Sequence, residues 1–462
     1  MPKPSLLAGA AEVDITPPMG VEMCGYGPYE KRVCTEVLDP LYARALWLQA
    51  GDDRLVIIAV DLCTIDIAIR DQVARDLHQR CGIGEECVMV AASHTHSGPA
   101  AQLMIGWGER DPGYVARLPA LLADAALKAQ AALEPARVGC CRRRVTGVGV
   151  NREQEDLGPI DTAAQLMRVD RADGTALAAV VNFGAHPVVR YRYTSRISAD
   201  FPGLLAAYIK VALPCAVPLF LQGPCGNVNA HDMRWWWERN DVGTRQKLCD
   251  MRTGDVAKRL GDQVLPALRE METKAEARLS AAWRMLNIPC TAVDAHELES
   301  IIAQHRAAAD RTTLSQLRPL HERMEDETEL EEAWRDARFQ VDSASYQLRL
   351  LASPPYQAEA PIQVMTIGDV AVVGWPAEVF VELGLELRQR SPLPLTFVAS
   401  SANHTVGYVP TPAAYESIGR PNQYGLYGVT RTPKIYGTLP FRADVGTMLI
   451  EETLDMLRDV RG

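Results

Sequence analysis

The stretch Val88-Met89-Val90-Ala91-Ala92-Ser93-His94-Thr95-His96-Ser97-Gly98-Pro99 decides the fold. Its first five residues form an apolar run of strand length, and Gly98-Pro99 stops whatever they begin. Such a run reads as a buried strand that releases two imidazoles at its mouth. In an extended segment, residues two apart share a face, so the spacing predicts that His94 and His96 point into one cleft. Only nine histidines occur in the chain, so a pair in one segment is the first place to look for metal chemistry.

Outward from this segment the same arrangement recurs. Leu55 to Val60 reads as a buried strand leading to Asp61, and Ala178 to Phe183 as another ending at Gly184-Ala185-His186-Pro187. Val217 to Leu221 is a further strand, ending at Gln222-Gly223-Pro224-Cys225-Gly226-Asn227. Between them Ile67 to Cys81 and Tyr114 to Leu133 carry helical periodicity. Gln363 to Ile367 and Val370 to Gly374 flank a Gly368-Asp369 hairpin turn, followed by a helix over Val379 to Arg388 and a core strand over Phe397 to Ser400. An amphipathic helix over Asp444 to Arg458 closes the chain. Alternation of this kind predicts an α/β fold, a mixed β-sheet core with surrounding helices. In α/β sheets ligands bind in the crevice at strand carboxyl ends, where the His, Asp and Asn residues lie here.

Asp255 to Ala277 and Ala295 to Leu351 have a different composition, rich in Glu, Arg, Ala and Leu at helical spacing. The second reads as a helical-hairpin insertion at about 295–351, with His296, His305 and His321 on its solvated faces. The expected organisation is a single catalytic domain over 1–462 carrying this insertion.

A net charge of −10, with no basic cluster larger than Arg142-Arg143-Arg144, excludes nucleic acid as a partner, because phosphate binding needs a concentrated basic face. No apolar run approaches the roughly 20 residues of a membrane span, so no integral membrane segment is expected. The N-terminus reaches Glu12 and Asp14 too soon to hold the apolar core of a secretory signal. Eleven cysteines without paired spacing read as reduced thiols, and a cytoplasmic location is the expectation.

Several short motifs occur in one order: Asp14-Ile15-Thr16-Pro17-Pro18, the Ser93 to Pro99 block, Asn151-Arg152, His186-Pro187, Ser198-Ala199-Asp200-Phe201-Pro202-Gly203 and Gln222-Gly223. With Pro376-Ala377-Glu378 and Gly407-Tyr408-Val409 added, the chain resembles the neutral/alkaline non-lysosomal ceramidase family from about residue 8 to residue 458. The resemblance implies a zinc-dependent hydrolase of an N-acyl bond. It maps the zinc ligands onto His94, His186, Glu378 and Tyr408, the last also counted among the catalytic groups. It gives His96 the task of orienting water or stabilising charge, and Arg152 that of binding a substrate oxygen. Borderline Zn²⁺ accepts imidazole nitrogen and anionic oxygen together, so the set is chemically coherent. Other readings stay open: His186 as a structural histidine, Tyr408 as core, Arg152 as an ion-pair partner. Asp61 and Asp200 read as partners that orient a ligand imidazole, with helix capping as the alternative for Asp200.

Departures from the family bear on the substrate. Ceramidases carry a Gly-Asp-Val-Ser-Pro-like turn, and here it reads Gly226-Asn227-Val228-Asn229-Ala230, with Asn229 at the serine position. Their additional C-terminal immunoglobulin-like domain has no residues left for it in this chain. The expected substrate is therefore a small N-acyl molecule rather than ceramide. Trp235, Trp236 and Trp237 cannot all be buried on one face, and read as a pocket wall or lid, or else as a subunit contact in a homo-oligomer. Arg420, in the loop Thr411 to Tyr427, is a candidate anchor for a substrate carboxylate. Two other functions fit the same residues: a zinc-dependent esterase or lactonase, and a catalytically silent, metal-stabilised binding protein.

Overall fold

In the strand Tyr42–Ala50, Ala43, Ala45 and Trp47 face one way while Leu46, Leu48 and Ala50 face the other, and all six are buried. A strand covered on both faces needs a layer on each side. The computed structural model, which describes residues 5–154, 158–192, 194–214, 216–231, 241–312, 316–323 and 327–460, supplies both. Trp235, Trp236 and Trp237 lie outside the described residues.

Twelve strands build the two main sheets among the described residues, beside three short two-stranded ladders. The larger contains β1 (Leu6–Asp14), β2 (Tyr42–Ala50), β3 (Asp53–Val60), β4 (Val88–Ala92), β5 (Glu134–Arg144), β6 (Ala163–Arg171), β7 (Ala176–Phe183) and β8 (Val217–Gln222). Its spatial order is β8-β7-β6-β5-β1-β2-β3-β4. The smaller is ordered β9 (Leu279–Pro289), β10 (Gln357–Ile367), β11 (Val370–Gly374), β12 (Leu395–Ala399). Helices α1 (Ile67–Cys81), α2 (Pro112–Ala131), α3 (Asp200–Ala212) and α4 (Val242–Glu270) contribute to the cores on the outer face of the larger sheet. Leu46, Ile57, Met89 and Val180 on its inner face meet Leu279, Met365, Val372 and Phe397 of the smaller sheet in one core. The other face of the smaller sheet is covered by α7 (Val381–Arg390) and α8 (Val445–Asp459). The sequence expectation of a mixed α/β fold therefore holds, in the form of helices, sheet, sheet and helices stacked in four layers.

Strand direction positions the site. Most neighbours are antiparallel, but β3 with β4, β7 with β8, and β11 with β12 run parallel. Backbone hydrogen bonds join the carboxyl ends across the two sheets: Ala92 N to Ser401 O (3.2 Å), Asn403 N to Val90 O (2.6 Å) and Ser400 N to Gln222 O (2.7 Å). The turns after β4, β7, β11 and β12 thus open into one region.

Helix bounds shift at several ends, and in two helices the shifts have a visible cause. α4 starts at Val242 rather than near 255, behind Asp241, whose side chain accepts from Thr244 N. It ends at Glu270 because the following segment joins the sheet, Lys274 N and O bonding to Val138 O and N. α7 starts at Val381 instead of Val379, because Glu378–Val379 is held extended against Tyr408–Val409. Between β9 and β10 lie α5 (Ala295–Ala309) and α6 (Glu329–Leu351), packed together with Trp334 Nε1 donating to Ala309 O at 2.9 Å. A Thr328–Glu331 capping box begins α6.

The core shared by the two sheets is a testable dependence. Phe397 is fully buried there, and Phe397→Ala should lower stability by about 3–5 kcal/mol. Urea unfolding followed by circular dichroism checks this; an unshifted midpoint would rule out a shared core at Phe397.

Candidate functional site

His94 leaves β4 through a turn. Its φ is +69°, a left-handed conformation that a non-glycine residue adopts only when its surroundings enforce it. Here Ser93 N bonds to Val60 O (2.8 Å) and His94 N to Leu62 O (2.9 Å), folding the chain back over the end of β3. His94 and His96 do reach one cleft, with Nε2 atoms 3.3 Å apart, though through this turn and not along an extended strand. His186 follows β7, its backbone N bonded to Val228 O at 2.9 Å. Glu378 and Tyr408 are register partners in a two-residue parallel bridge, which sets their side chains next to each other.

His94, His186, Glu378 and Tyr408 converge. His94 Nε2 lies 3.1 Å from both His186 Nε2 and Glu378 Oε2, and His186 Nε2 lies 2.9 Å from Glu378 Oε2. The Tyr408 hydroxyl is 3.2 Å from His186 Nε2. All four are buried. The tautomers follow from the other ring nitrogens. His94 Nδ1 faces Cys63 O and His186 Nδ1 faces Cys225 O, each at 2.7 Å. A carbonyl only accepts, so each Nδ1 carries the proton and each neutral ring presents an Nε2 lone pair. Two lone pairs and a carboxylate oxygen then face a common point, an arrangement that repels itself without a cation and suits a metal ion. Burial, with the Arg152 charge second, holds His186 down to about 4, which disfavours a second ring proton as the remedy. Burial opposes the charge on Glu378, and its carboxyl is drawn well below the usual range to the extent that His94 and His186 bear positive charge, a part that a bound cation would take over from rings held neutral. Its other oxygen, Oε1, accepts from the Tyr436 hydroxyl.

The remaining expected residues are distributed as follows. His96 is held neutral, pushed well below its ordinary value by burial first and then by His94 and His186; its Nδ1 is buried without a hydrogen-bond partner among the described residues. Gly25 lets the ring sit there, since at φ +104° a Cβ would come 2.6 Å from His96 Nδ1. Arg152 Nη2 donates to Tyr408 Oη (2.7 Å) and Gly226 O (2.8 Å), and its Nη1 to Asn229 Oδ1 (3.3 Å). His96, Arg152, Asn229 and Tyr408 all line one cleft of about 560 Å³.

Three expectations are corrected. Asp61 does not orient an imidazole: it accepts from Arg44 Nη1 (2.7 Å) and Tyr42 N (3.0 Å), and backbone carbonyls hold the rings instead. Asp200 does not either. It opens α3, accepting from Phe201 N (2.6 Å) and Arg190 N (2.9 Å). Arg420 is exposed and is not among the residues that line the cleft, whereas Arg431 of the following segment is. Sequence reasoning passed over Tyr436, Tyr427 and Arg431. Tyr427 packs edge-on against Tyr408 with ring centroids 5.6 Å apart, and nothing in the local sequence separates it from a core tyrosine.

The fold and the donor set define an α/β protein with a candidate metal centre at its strand ends. Residues 6–212 match the family described as "Neutral/alkaline non-lysosomal ceramidase, N-terminal", so the resemblance read from the ordered motifs is borne out there. No curated protein matches the sequence. Solved structures similar to the chain include "Crystal Structure Analysis of neutral ceramidase from Pseudomonas aeruginosa", with TM-score 0.72 and 19% identity over 100% of this chain and 75% of that one. Another, described as "Ceramidase complexed with C2", has TM-score 0.72 and 18% identity over 99% and 75%. At such identities the likeness speaks for the fold. The family match over residues 6–212 supports an amide-bond hydrolase of ceramidase type. No helix among the described residues is long and apolar enough to cross a membrane.

Asp200 generates a pH prediction. Burial pushes its carboxyl up to about 6, against the pull of its two backbone hydrogen bonds. The folded chain then binds this proton more tightly than the unfolded chain. The associated stability is present below the unfolded carboxylate range and is lost as pH rises from about 4 to about 6, by at most roughly 3 kcal/mol. Urea midpoints at pH 4.5 and 7.5 should therefore differ less in Asp200→Asn than in the unaltered protein. An identical difference in both would remove Asp200 as the titrating group.

Proposed function

We propose that this chain is a zinc-dependent hydrolase of an N-acyl bond in a small molecule, with zinc held by His94, His186, Glu378 and Tyr408. The observation that carries the proposal is the pair of imidazoles whose protons are committed to Cys63 O and Cys225 O, leaving both Nε2 atoms aimed at Glu378 Oε2. Two nitrogens and two oxygens suit zinc among the common metals. When bound, zinc supplies Lewis-acid chemistry, polarising an acyl oxygen and lowering the pKa of water to near 7.

The chain's own residues would do the rest. Arg152, oriented by Gly226 O and Tyr408 Oη, would hold the acyl oxygen as negative charge develops on it, where a fixed donor has its largest effect on rate. His96, neutral at physiological pH, can take the proton of the attacking water at Nε2 and return it to the leaving nitrogen as the C–N bond breaks. Asn229 supplies a fixed amide beside Arg152 where ceramidases have a serine. Charged groups on the cleft wall, including Arg335, Asp336 and Arg431, suit a polar substrate better than a long acyl chain.

His94→Ala and His186→Ala should each lose most of the zinc, and His96→Ala should retain it while losing turnover; elemental analysis of the purified variants checks this, and full occupancy in both of the first two would overturn the ligand assignment. Tyr436→Phe, which frees Glu378 Oε1, should weaken zinc binding about 10–100-fold, measured by competition with a chelator. Long-chain ceramide should give a lower kcat/KM than short N-acyl compounds. A higher value for ceramide would sink the substrate reading.

A further inference from the structure

The cleft has three arginines besides Arg152, and two of them are already engaged. Arg192 and Arg335 both pair with Glu30, and Arg335 also with Glu327. Arg431 differs. It is exposed, lines the cleft, and has no carboxylate partner among the described residues; the aromatic ring of Phe339, 5.8 Å from its Cζ, is its neighbour. It ends a single π-helical turn, Tyr427–Arg431, in which Thr432 N bonds back to Tyr427 O. Isolated π turns are uncommon and occur often at functional sites. This one places Tyr427 against Tyr408 and Arg431 further along the same cleft.

We propose that Arg431 is a specificity-determining residue that binds a carboxylate on the substrate, so that the preferred substrates are carboxylate-bearing N-acyl compounds. The inference rests on the N-acyl hydrolase reading for the reaction, but not for the binding. A guanidinium fork matches a carboxylate in two parallel hydrogen bonds, and an unpaired one at a cleft wall is free to make them. Glu332 and Asp336, one turn apart on α6, line the same cleft. They oppose a second anionic group near them, so that the cleft favours one carboxylate and not two. The carboxylate can sit on either side of the scissile amide: on the amine portion, as in an N-acyl amino acid, or on the acyl portion, as in a monoamide of a dicarboxylic acid.

Isothermal calorimetry on the zinc-loaded protein tests this without requiring turnover. The probes are N-acetylphenylalanine and its carboxamide, N-benzylsuccinamate and its carboxamide, and an N-acetyl diamine carrying an ammonium group. At least one carboxylate should bind about ten-fold more tightly than its own carboxamide, the range expected for one charge-assisted contact. In Arg431→Gln that preference should fall at least five-fold, and Arg431→Lys should restore part of it. Whichever carboxylate shows the preference identifies the side of the amide that carries it. Zinc content and melting temperature of both variants should match the unaltered protein, excluding a folding defect. Absence of any preference, a preference that survives in Arg431→Gln, or tighter binding of the ammonium compound would overturn the proposal. Failure to hydrolyse any probe with the preference intact would instead sink the hydrolase reading and leave the anchor standing.

Discussion

Two backbone carbonyls govern the chemistry of this centre. Cys63 O and Cys225 O fix the protons of His94 and His186 on Nδ1, and everything that follows at the Nε2 atoms depends on it. Were either ring in the other tautomer, its Nε2–H could simply donate to Glu378 Oε2, and the cluster would be a closed set of hydrogen bonds with no call for a cation. Held as they are, the rings contribute only lone pairs. The protein has thus placed a carboxylate and two ring acceptors within about 3 Å of one another, a geometry whose self-repulsion in a buried site is relieved by a bound positive charge.

The carbonyls are where they are because of strand direction. Cys63 follows β3, the direct parallel neighbour of the strand that delivers His94, and Cys225 follows β8, the parallel neighbour of the strand that delivers His186. In a parallel pair both chains end on the same edge, so the turn after one strand lies beside the turn after the other. Each histidine is therefore oriented by the strand next to its own. Glu378 and Tyr408 arrive in the same manner from β11 and β12, on the second sheet. The cross-sheet hydrogen bonds at Ala92, Ser400 and Asn403 tie the two edges together, which makes the centre a product of sheet packing and leaves little of it to loop flexibility.

This explains what could be read from the chain. The apolar runs ending in His94 and His186 identify buried strands and the edge where their chemistry collects, since period and composition are local properties. Glu378 and Tyr408 were legible through their ordered motifs, although nothing local says that they stand side by side. What sequence reasoning missed is what has no side-chain signature. Any residue has a carbonyl, so Cys63 and Cys225 as orienting groups could not be told from their neighbours, and the aspartates that looked suited to the task serve Arg44 and the start of α3. Arg420 and Arg431 are eleven positions apart in the same region, and only the path of the backbone through the π turn decides which one faces the cleft. Tyr436 reads as core, and it is core, with one polar atom spent on Glu378.

The helices inserted between β9 and β10 take part in the cleft through one buried carboxylate. Glu30 is almost fully buried and is shared by Arg192, Arg323 and Arg335; Glu327 adds contacts to the last two. Arg323 and Arg335 come from the insertion, Arg192 from the segment after His186, and Glu30 from the loop after Met23. Removing one member of such a network strands buried charge and costs about 3–5 kcal/mol, so the three segments are locked to one another. The wall formed by α6 is therefore tied by ion pairs to the segments after Met23 and His186. A wall held in this way presents a fixed array of charged groups to whatever occupies the cleft. Along the cleft itself Arg152, Arg192, Arg335 and Arg431 stand against Glu30, Glu332 and Asp336, so the lining carries one formal positive charge in excess, and Arg431 meets no carboxylate partner among the described residues.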